Sequence, residues 1–181
     1  MEGNAMVALS DSDVLVVPVN VALYDSLTIE VSGVVDSNQE LLHFGGQTLD
    51  LSSSVLSPVS VVIQSQSYDY TYDLGTGELV IAKNGGGTIS QGELAAVVRD
   101  FHYEHSGAAP TESPRTFVWQ ADESGVSTSS SETTVNVRSL NASPVIGVDA
   151  TVPYTQGASP VIVENSINIS DADDTFLESA V

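Results

Sequence analysis

Apolar and polar residues alternate along most of the chain, and this alternation predicts β-strands. Leu27, Ile29 and Val31 alternate with polar neighbours, which is the period of a strand with one buried face. The same period recurs in four further segments, residues 59–63, 78–81, 116–120 and 133–137. The last two segments predict a strand pair joined by the Ser- and Gly-rich residues 121–132. A chain built mainly of short strands is therefore expected.

Three tyrosines share one face of a further predicted strand. Tyr68, Tyr70 and Tyr72 alternate with polar residues, and residues 74–77 (LGTG) then predict a hairpin turn into the next strand. A row of amphipathic rings can bind a peptide or a sugar. The same row can instead pack on the inner face of the sheet, with its hydroxyl groups near the rim. The pattern leaves both interpretations open.

One segment departs from the strand period and predicts a helix. Ser90 followed by Glu93 is a capping box, which is a signal for a helix start. The apolar residues that follow at helical spacing are Leu94, Val97, Val98 and Phe101. We therefore expect one short helix over residues 91–99, covering an end or an edge of the sheets. Many short strands with one helix predict an all-β antiparallel sandwich.

The beginning of the chain recurs near its end. Residues 6–13 (MVALSDSD) resemble residues 166–173 (SINISDAD), so that Asp171 lies 160 positions after Asp11. Recurrence at a fixed offset is typical of a module from a tandem array. Residues 141–146 (NASPVI) look like a junction between repeats, because proline is excluded from central strands. Residues 161–163 and 167–169 predict two short strands beyond this junction.

The composition is strongly acidic and free of cysteine. The chain has 24 acidic and 4 basic residues, for a formal net charge of −20. Nucleic-acid binding and adsorption to anionic lipid both need cations, so these partners are not expected. The absence of cysteine excludes disulfides and thiol chemistry, and no apolar run is long enough to span a bilayer. The acidity is explained either by solubility or by bound Ca²⁺ that neutralises part of it.

Several stretches in this order resemble the cadherin-like, Ca²⁺-binding repeats of large bacterial surface adhesins of the type I secreted, RTX type. They are residues 94–104 (LAAVVRDFHYE), 114–125 (PRTFVWQADESG), 134–145 (TVNVRSLNASPV) and 154–173. The chain departs from that family at its junction, where Ala142 and Ser143 replace an acidic residue, and at Gln156. These departures predict fewer bound ions, or different ones, than in a standard repeat.

The resemblance implies a fold, a location and a role. The expected fold is an Ig-like or cadherin-like antiparallel β-sandwich, with residues 1–143 as one repeat and residues 144–181 as the opening strands of the next. These opening strands either begin a separate neighbour or fold back to complete the first repeat, and we expect the second arrangement. The implied role is that of a calcium-stabilised extracellular extender on the bacterial cell surface, in adhesion and biofilm attachment. The alternative is a domain of such an adhesin that binds a peptide or a glycan. The expected partners are neighbouring repeats of the same chain, and a monomer is expected.

Calcium ligands are expected among the carboxylates, because Ca²⁺ takes six to eight oxygen ligands. Each Asp-x-Asp pair places two carboxylates on one side of an extended segment. The candidate ligands are Asp11, Asp13, Glu104, Asp122, Glu123, Glu164, Asp171, Asp173 and Asp174. The pairs lack the glycine and the distal glutamate of an EF-hand loop. A solvated turn is the alternative role of such aspartates.

The sequence does not predict an enzyme. His102 and His105 fall on opposite faces of a strand, and no cysteine or close third histidine completes a zinc site. The chain lacks a Gly-x-Ser-x-Gly elbow, and residues 85–87 (GGG) lack the lysine of a phosphate-binding loop. No pair of carboxylates stands out as a glycosidase pair.

Overall fold

A computed structural model describes residues 6–10, 23–107, 109–128, 130–139, 144–147, 151–162 and 167–171 of the chain. The chain divides into two compact units, Met1–Arg138 and Ser139–Val181. Nearly all of the described secondary structure belongs to the first unit.

The strands of the first unit follow the predicted alternation and add several that are shorter. They are β1 (Val7–Ala8), β2 (Leu23–Tyr24), β3 (Ser26–Ser32), β4 (Glu40–Phe44), β5 (Gln47–Asp50), β6 (Val55–Ile63), β7 (Gln66–Asp73), β8 (Glu78–Lys83), β9 (Ile89–Ser90), β10 (His102–His105), β11 (Pro114–Glu123), β12 (Val126–Ser127) and β13 (Ser131–Asn136). A 3-10 turn, Ser37–Gln39, precedes β4. All of the ladders between them are antiparallel.

Two main sheets form the sandwich. The smaller has the order β1-β10-β4-β5, and the larger has the order β12-β11-β3-β8-β7-β6, with β13 also paired to β11. The short strands β2 and β9 form a separate pair. The predicted final strand pair is confirmed, with Thr116 opposite Thr134. The all-β antiparallel sandwich with one short helix is thus confirmed.

Aromatic side chains join the two sheets across the core. The ring centroids of Phe44 on β4 and Tyr70 on β7 lie 4.9 Å apart, edge to face. Phe101 stacks on Phe44 at 4.6 Å and meets Trp119 on β11 at 5.6 Å. Edge-to-face and offset-stacked arrangements are favoured by the ring quadrupole. The core is therefore closed by contacts between the sheets as well as by alternation within each strand.

The predicted helix is present as α1 (Gln91–Asp100). Its capping box is formed as expected, because the Ser90 hydroxyl accepts from the Glu93 amide and the Glu93 carboxylate accepts from the Ser90 amide. The helix runs one residue beyond the predicted end, and its apolar side is buried against the core. Local signals alone were sufficient to place it.

Two hairpin turns have unusual backbones. In the predicted turn at residues 74–77, Gly77 has a φ of 73°, and a Cβ there would lie 2.3 Å from the carbonyl oxygen of Val31. Only glycine fits that position. The two-residue turn between β6 and β7 has non-glycine residues at positive φ, Gln64 at 48° and Ser65 at 68°.

The second unit contains a two-stranded ribbon, β14 (Val145–Gly147) and β15 (Asn168–Ser170), in which Ile146 lies opposite Ile169. The strand predicted at residues 161–163 does not form over its described part. Val161 and Ile162 are exposed and lie outside the strands. An apolar, β-branched run needs a partner strand, and none pairs with these two residues in the described part of the chain.

Candidate functional site

Three acidic residues follow one another closely in the fold where β3 begins and β11 ends, and we call Tyr24, Asp25, Asp122 and Glu123 the acidic end. The Asp25 amide donates to the Asp122 carbonyl oxygen at 2.8 Å, which places the two residues side by side. The Ser124 amide donates to Asp25 Oδ2 at 2.8 Å, and the Gly125 amide donates to Asp122 Oδ1 at 3.0 Å. These bonds fix the turn after β11, and each of the two aspartates keeps a second carboxylate oxygen.

Tyr24, the residue before Asp25, is completely buried. In the described part of the chain, its hydroxyl is the one buried side-chain polar atom without a hydrogen-bond partner. Burial raises the pKa of Tyr24, and the negative charge of Glu123 raises that pKa further. A buried hydroxyl without a partner costs free energy.

The acidic end has the right chemistry for calcium but too few ligands by itself. Carboxylates are the ligands that Ca²⁺ prefers. Yet no group of three or more His, Cys, Asp or Glu side chains among the described residues is arranged to hold a metal. Calcium binding at the acidic end therefore requires oxygen ligands from residues beyond these. Asp11 and Asp13 lie outside the described residues, in the segment that leads from Ser10 back to Leu23.

The other predicted ligands lie elsewhere or outside the described residues. Glu104 is on β10, in the smaller sheet, and its carboxylate is 2.8 Å from His43 Nε2 on β4. The geometry does not bring it together with Asp122 and Glu123 into a metal-binding group. Asp171 belongs to the second unit. Glu164, Asp173 and Asp174 fall outside the described residues.

The tyrosine row faces the core. Tyr68, Tyr70 and Tyr72 are 1%, 5% and 1% exposed, and the Tyr72 hydroxyl donates to the buried carbonyl oxygen of Leu51 at 3.1 Å. A cavity of about 250 Å³ between the β6–β7 hairpin and α1 reaches one member of the row, Tyr68, together with Gln64, Gln66 and Glu93. The flat faces of the rings are therefore covered by the protein itself, as in the inner-face interpretation.

A buried ion network is the feature that sequence reasoning missed. Arg115 on β11 and Glu40 on β4 are both 0% exposed and belong to opposite sheets. The guanidinium donates from Nε to Glu40 Oε2 at 2.7 Å and from Nη2 to Glu40 Oε1 at 3.0 Å. It also donates to Asp36 Oδ2 at 2.9 Å. This bidentate pair ties the two sheets together.

The network satisfies the hydrogen-bonding groups that it buries. Nη1 of Arg115 donates to the carbonyl oxygens of Thr111 and Ser113 at 3.2 and 2.7 Å, so that all parts of its guanidinium are engaged. Glu40 accepts three more hydrogen bonds, from the Val35 amide, the Asp36 amide and the Tyr103 hydroxyl, at 2.8, 2.8 and 2.9 Å. Burial without such partners would be strongly unfavourable.

Burial and hydrogen bonding act in opposite directions on these carboxylates. Burial alone would raise the pKa of Glu40, but the hydrogen bonds from Arg115, Val35, Asp36 and Tyr103 outweigh it and lower the pKa. Asp36 behaves in the same way: burial acts against ionisation, and the hydrogen bonds from Thr111 and His105 lower the pKa. Both groups are held ionised in the folded state.

A sequence signal for this network did exist. Arg115 occupies the same face of β11 as Phe117 and Trp119, which are buried, so the alternation alone places an arginine inside. A buried arginine needs a carboxylate partner. The sequence could not say that the partner is Glu40, which lies 75 positions away.

Comparisons of the chain with family models, with curated proteins and with solved structures found no match. No helix in the part of the chain that the structure describes is long and apolar enough to cross a membrane.

Proposed function

We propose that this protein is a calcium-stabilised structural module of a large bacterial surface adhesin, acting outside the cell as an extender in adhesion and biofilm attachment. The observation that carries the proposal is the acidic end, where Asp25 and Asp122 lie side by side and the charge of Glu123 acts on the buried Tyr24. The resemblance to cadherin-like adhesin repeats and the excess of acid support it independently.

The proposed ion would act on stability. Asp122 and Glu123 would supply carboxylate oxygens, Asp25 would add another, and Asp11 and Asp13 are the candidates for the remainder. Without a cation, neighbouring carboxylates repel one another, and this end of the sandwich should loosen. An ion that binds the folded form alone stabilises it by about 2.7–4.1 kcal/mol at concentrations of about 100–1,000 times its dissociation constant.

The geometry favours the extender over the alternative of a ligand-binding domain. Stacking on a sugar or a peptide needs an accessible ring face. All three tyrosines of the row are at most 5% exposed, and the nearby cavity touches only Tyr68 among them. The buried Arg115–Glu40 pair, which links the two sheets, suits a module whose task is to keep its shape.

The first prediction tests calcium directly. Melting of the full chain should be followed in chelator and in millimolar Ca²⁺, where we expect a rise in Tm of about 5–15 °C. Asp122→Asn should remove much of this rise, because it takes away one ligand charge. Glu78→Gln, which neutralises an exposed carboxylate on β8, is the control and should keep the full rise. Equal melting with and without calcium would refute the proposal.

A further inference from the structure

The chain presents one short strand twice. Val7, Ala8, Leu9 and Ser10 correspond to Ile167, Asn168, Ile169 and Ser170 at the offset of 160 positions. All eight residues are described. Apolar residues occupy the first and third places in both copies, and serine occupies the fourth. The two copies can therefore be compared residue by residue.

The first copy lies in a groove of the first unit, which we call the β1 groove. Val7 and Ala8 pair with Tyr103 and His102 on β10, and the Leu9 amide donates to the Phe101 carbonyl oxygen at 3.0 Å. This is the edge of β10 that faces away from β4. Most of these bonds use the main chain of the bound strand, so they set few demands on its side chains.

Leu9 and Ser10 anchor the strand in the β1 groove. Leu9 is 2% exposed, and its carbonyl oxygen accepts from the Thr133 hydroxyl at 3.0 Å. That hydroxyl in turn accepts from Trp119 Nε1 at 3.1 Å. The Ser10 hydroxyl donates to the Val98 carbonyl oxygen at 3.2 Å. The groove thus recognises one buried aliphatic side chain followed by one hydroxyl.

The second copy has the same two features, but the described residues form no such groove around it. Ile169, in the place of Leu9, is 43% exposed, and Ile167 is 61% exposed. The strand pairs with β14 along one edge, and the described residues of the second unit offer no strand to its other edge. A strand whose homologous copy is buried, and which is itself exposed, lacks the partner that the first copy has.

We infer that residues 167–170 of one molecule bind in the β1 groove of a second copy of this chain, in place of that copy's residues 7–10. Isoleucine for Leu9 conserves the apolar volume, serine is unchanged, and asparagine for Ala8 falls at an exposed position. Outside its Leu9 and Ser10 anchors the resident strand makes few contacts, since its ladder has two residue pairs and Met6 and Val7 are 56% and 48% exposed.

The occupant is a second copy because each molecule carries the strand and the groove in separate compact units. The contact is head-to-tail, because the strand of one molecule binds the groove of another. This differs from the monomer that we expected from the sequence. The inference does not depend on calcium or on the proposed adhesin role.

Disulfide trapping tests the register of this contact in a chain that has no cysteine of its own. Asn168 should replace Ala8 opposite His102, at a spacing that a disulfide can bridge. One full-length copy carries Asn168→Cys, and a second, tagged copy carries His102→Cys. The control is His43→Cys on β4, which lies opposite His102 on the far side of β10. We expect the mixed disulfide with His102→Cys to exceed that with His43→Cys several-fold.

Two further experiments test whether the bound strand comes from the same molecule or from a second copy. With Asn168→Cys and His102→Cys in one chain, an intrachain disulfide in the monomer would overturn the second copy as occupant. In sedimentation without cysteines, the mass should rise above 18.9 kDa with concentration. Ile169→Asp should abolish this rise, whereas Ile162→Asp, at a residue 73% exposed in the same unit, should not. No mixed disulfide above the control would overturn the inference.

Discussion

Arg115 supplies the positive charge of the buried ion network. Its guanidinium is fully buried and donates hydrogen bonds to both Glu40 and Asp36, so it supplies the positive charge between two carboxylates. A buried ion pair adds little net stability compared with apolar packing, but the removal of one partner leaves the other charge buried and uncompensated.

The second prediction concerns the removal of the positive charge of Arg115. Arg115→Leu should lower the free energy of unfolding by about 3–5 kcal/mol, because Glu40 would remain buried without its cation. Arg138→Leu removes an exposed arginine and should change stability by about 0.5 kcal/mol or less. Urea unfolding measures both variants. Similar losses in the two would show that net charge, and not the buried pair, is responsible.

The third prediction concerns acid. Glu40 and Asp36 have ordinary pKa values of 4.5 and 3.8, and folding lowers both. Groups with lowered pKa values stabilise the fold above their unfolded pKa, and this contribution is lost as pH falls through the folded pKa. Stability should therefore decrease progressively below about pH 4.5.

Urea unfolding at pH 7 and pH 3 measures this loss. Glu40→Gln cannot take up a proton at this position, so the decrease between the two pH values should be smaller in that variant than in the parent chain. Glu78→Gln, on the exposed side of β8, should leave the decrease unchanged. An equal decrease in the parent and Glu40→Gln would assign the acid sensitivity to other carboxylates.

At the scale of elements, the β6–β7 hairpin has a conformation that its sequence does not favour. Gln64 and Ser65 both have positive φ, as a two-residue primed turn requires, whereas asparagine and glycine are the residues that adopt it readily. The left-handed region costs an ordinary residue about 1–2 kcal/mol. The turn is therefore strained, although the flanking strands are well paired.

The fourth prediction is that relief of this strain stabilises the protein. Gln64→Asn with Ser65→Gly should raise the free energy of unfolding by about 1 kcal/mol, since the greater freedom of glycine in the unfolded chain offsets part of the gain. Ser53→Gly introduces the same residue into a turn at ordinary φ, and it should be destabilising. Thermal melting of both variants gives the sign of each effect.

The elements could be predicted from the sequence because their signals are local. The capping box of Ser90 and Glu93 lies within one helical turn, and the alternation around Ile29 lies within one strand. Partners distant in sequence could not be predicted in this way. Glu104 was a candidate calcium ligand, yet it pairs with His43, which is 61 positions away and is its neighbour only because β10 pairs with β4.

The strand predicted at residues 161–163 shows that a local strand signal also depends on partners distant in sequence. Val161 and Ile162 have high strand propensity but do not lie in a strand. β-propensity describes how a side chain fits a pleated, partly buried surface. Because the described residues provide no neighbouring strand, this propensity is not sufficient to form a strand here.

At the scale of the whole molecule, the boundary between the units falls at Arg138 and Ser139, close to the expected repeat boundary after Ser143. The folding back of residues 144–181 onto the first repeat stays a prediction. In the described residues, β15 pairs with β14, so every described ladder of the first unit is made by residues before Ser139.

The fifth prediction is that truncation after Ser143 leaves the melting of the first unit unchanged within about 1 °C, since no described ladder is lost. Loss of several degrees would mean that the tail completes the first repeat after all. Full-length Ile169→Asp is the matched control, because it alters the tail without shortening the chain. Truncation should also abolish the head-to-tail association, which depends on residues 167–170.

The hydrogen-bonded series from Trp119 through Thr133 to the Leu9 carbonyl has an optical consequence. Trp119 is the chain's one tryptophan, so its fluorescence is the signal of a single indole, 8% exposed. The indole N–H reaches the amino-terminal strand through one hydroxyl. When that strand leaves its groove, the hydroxyl loses its acceptor and water gains access to the ring, so the emission should shift to longer wavelength. The emission wavelength of Trp119 therefore reports whether the first strand is bound in its groove.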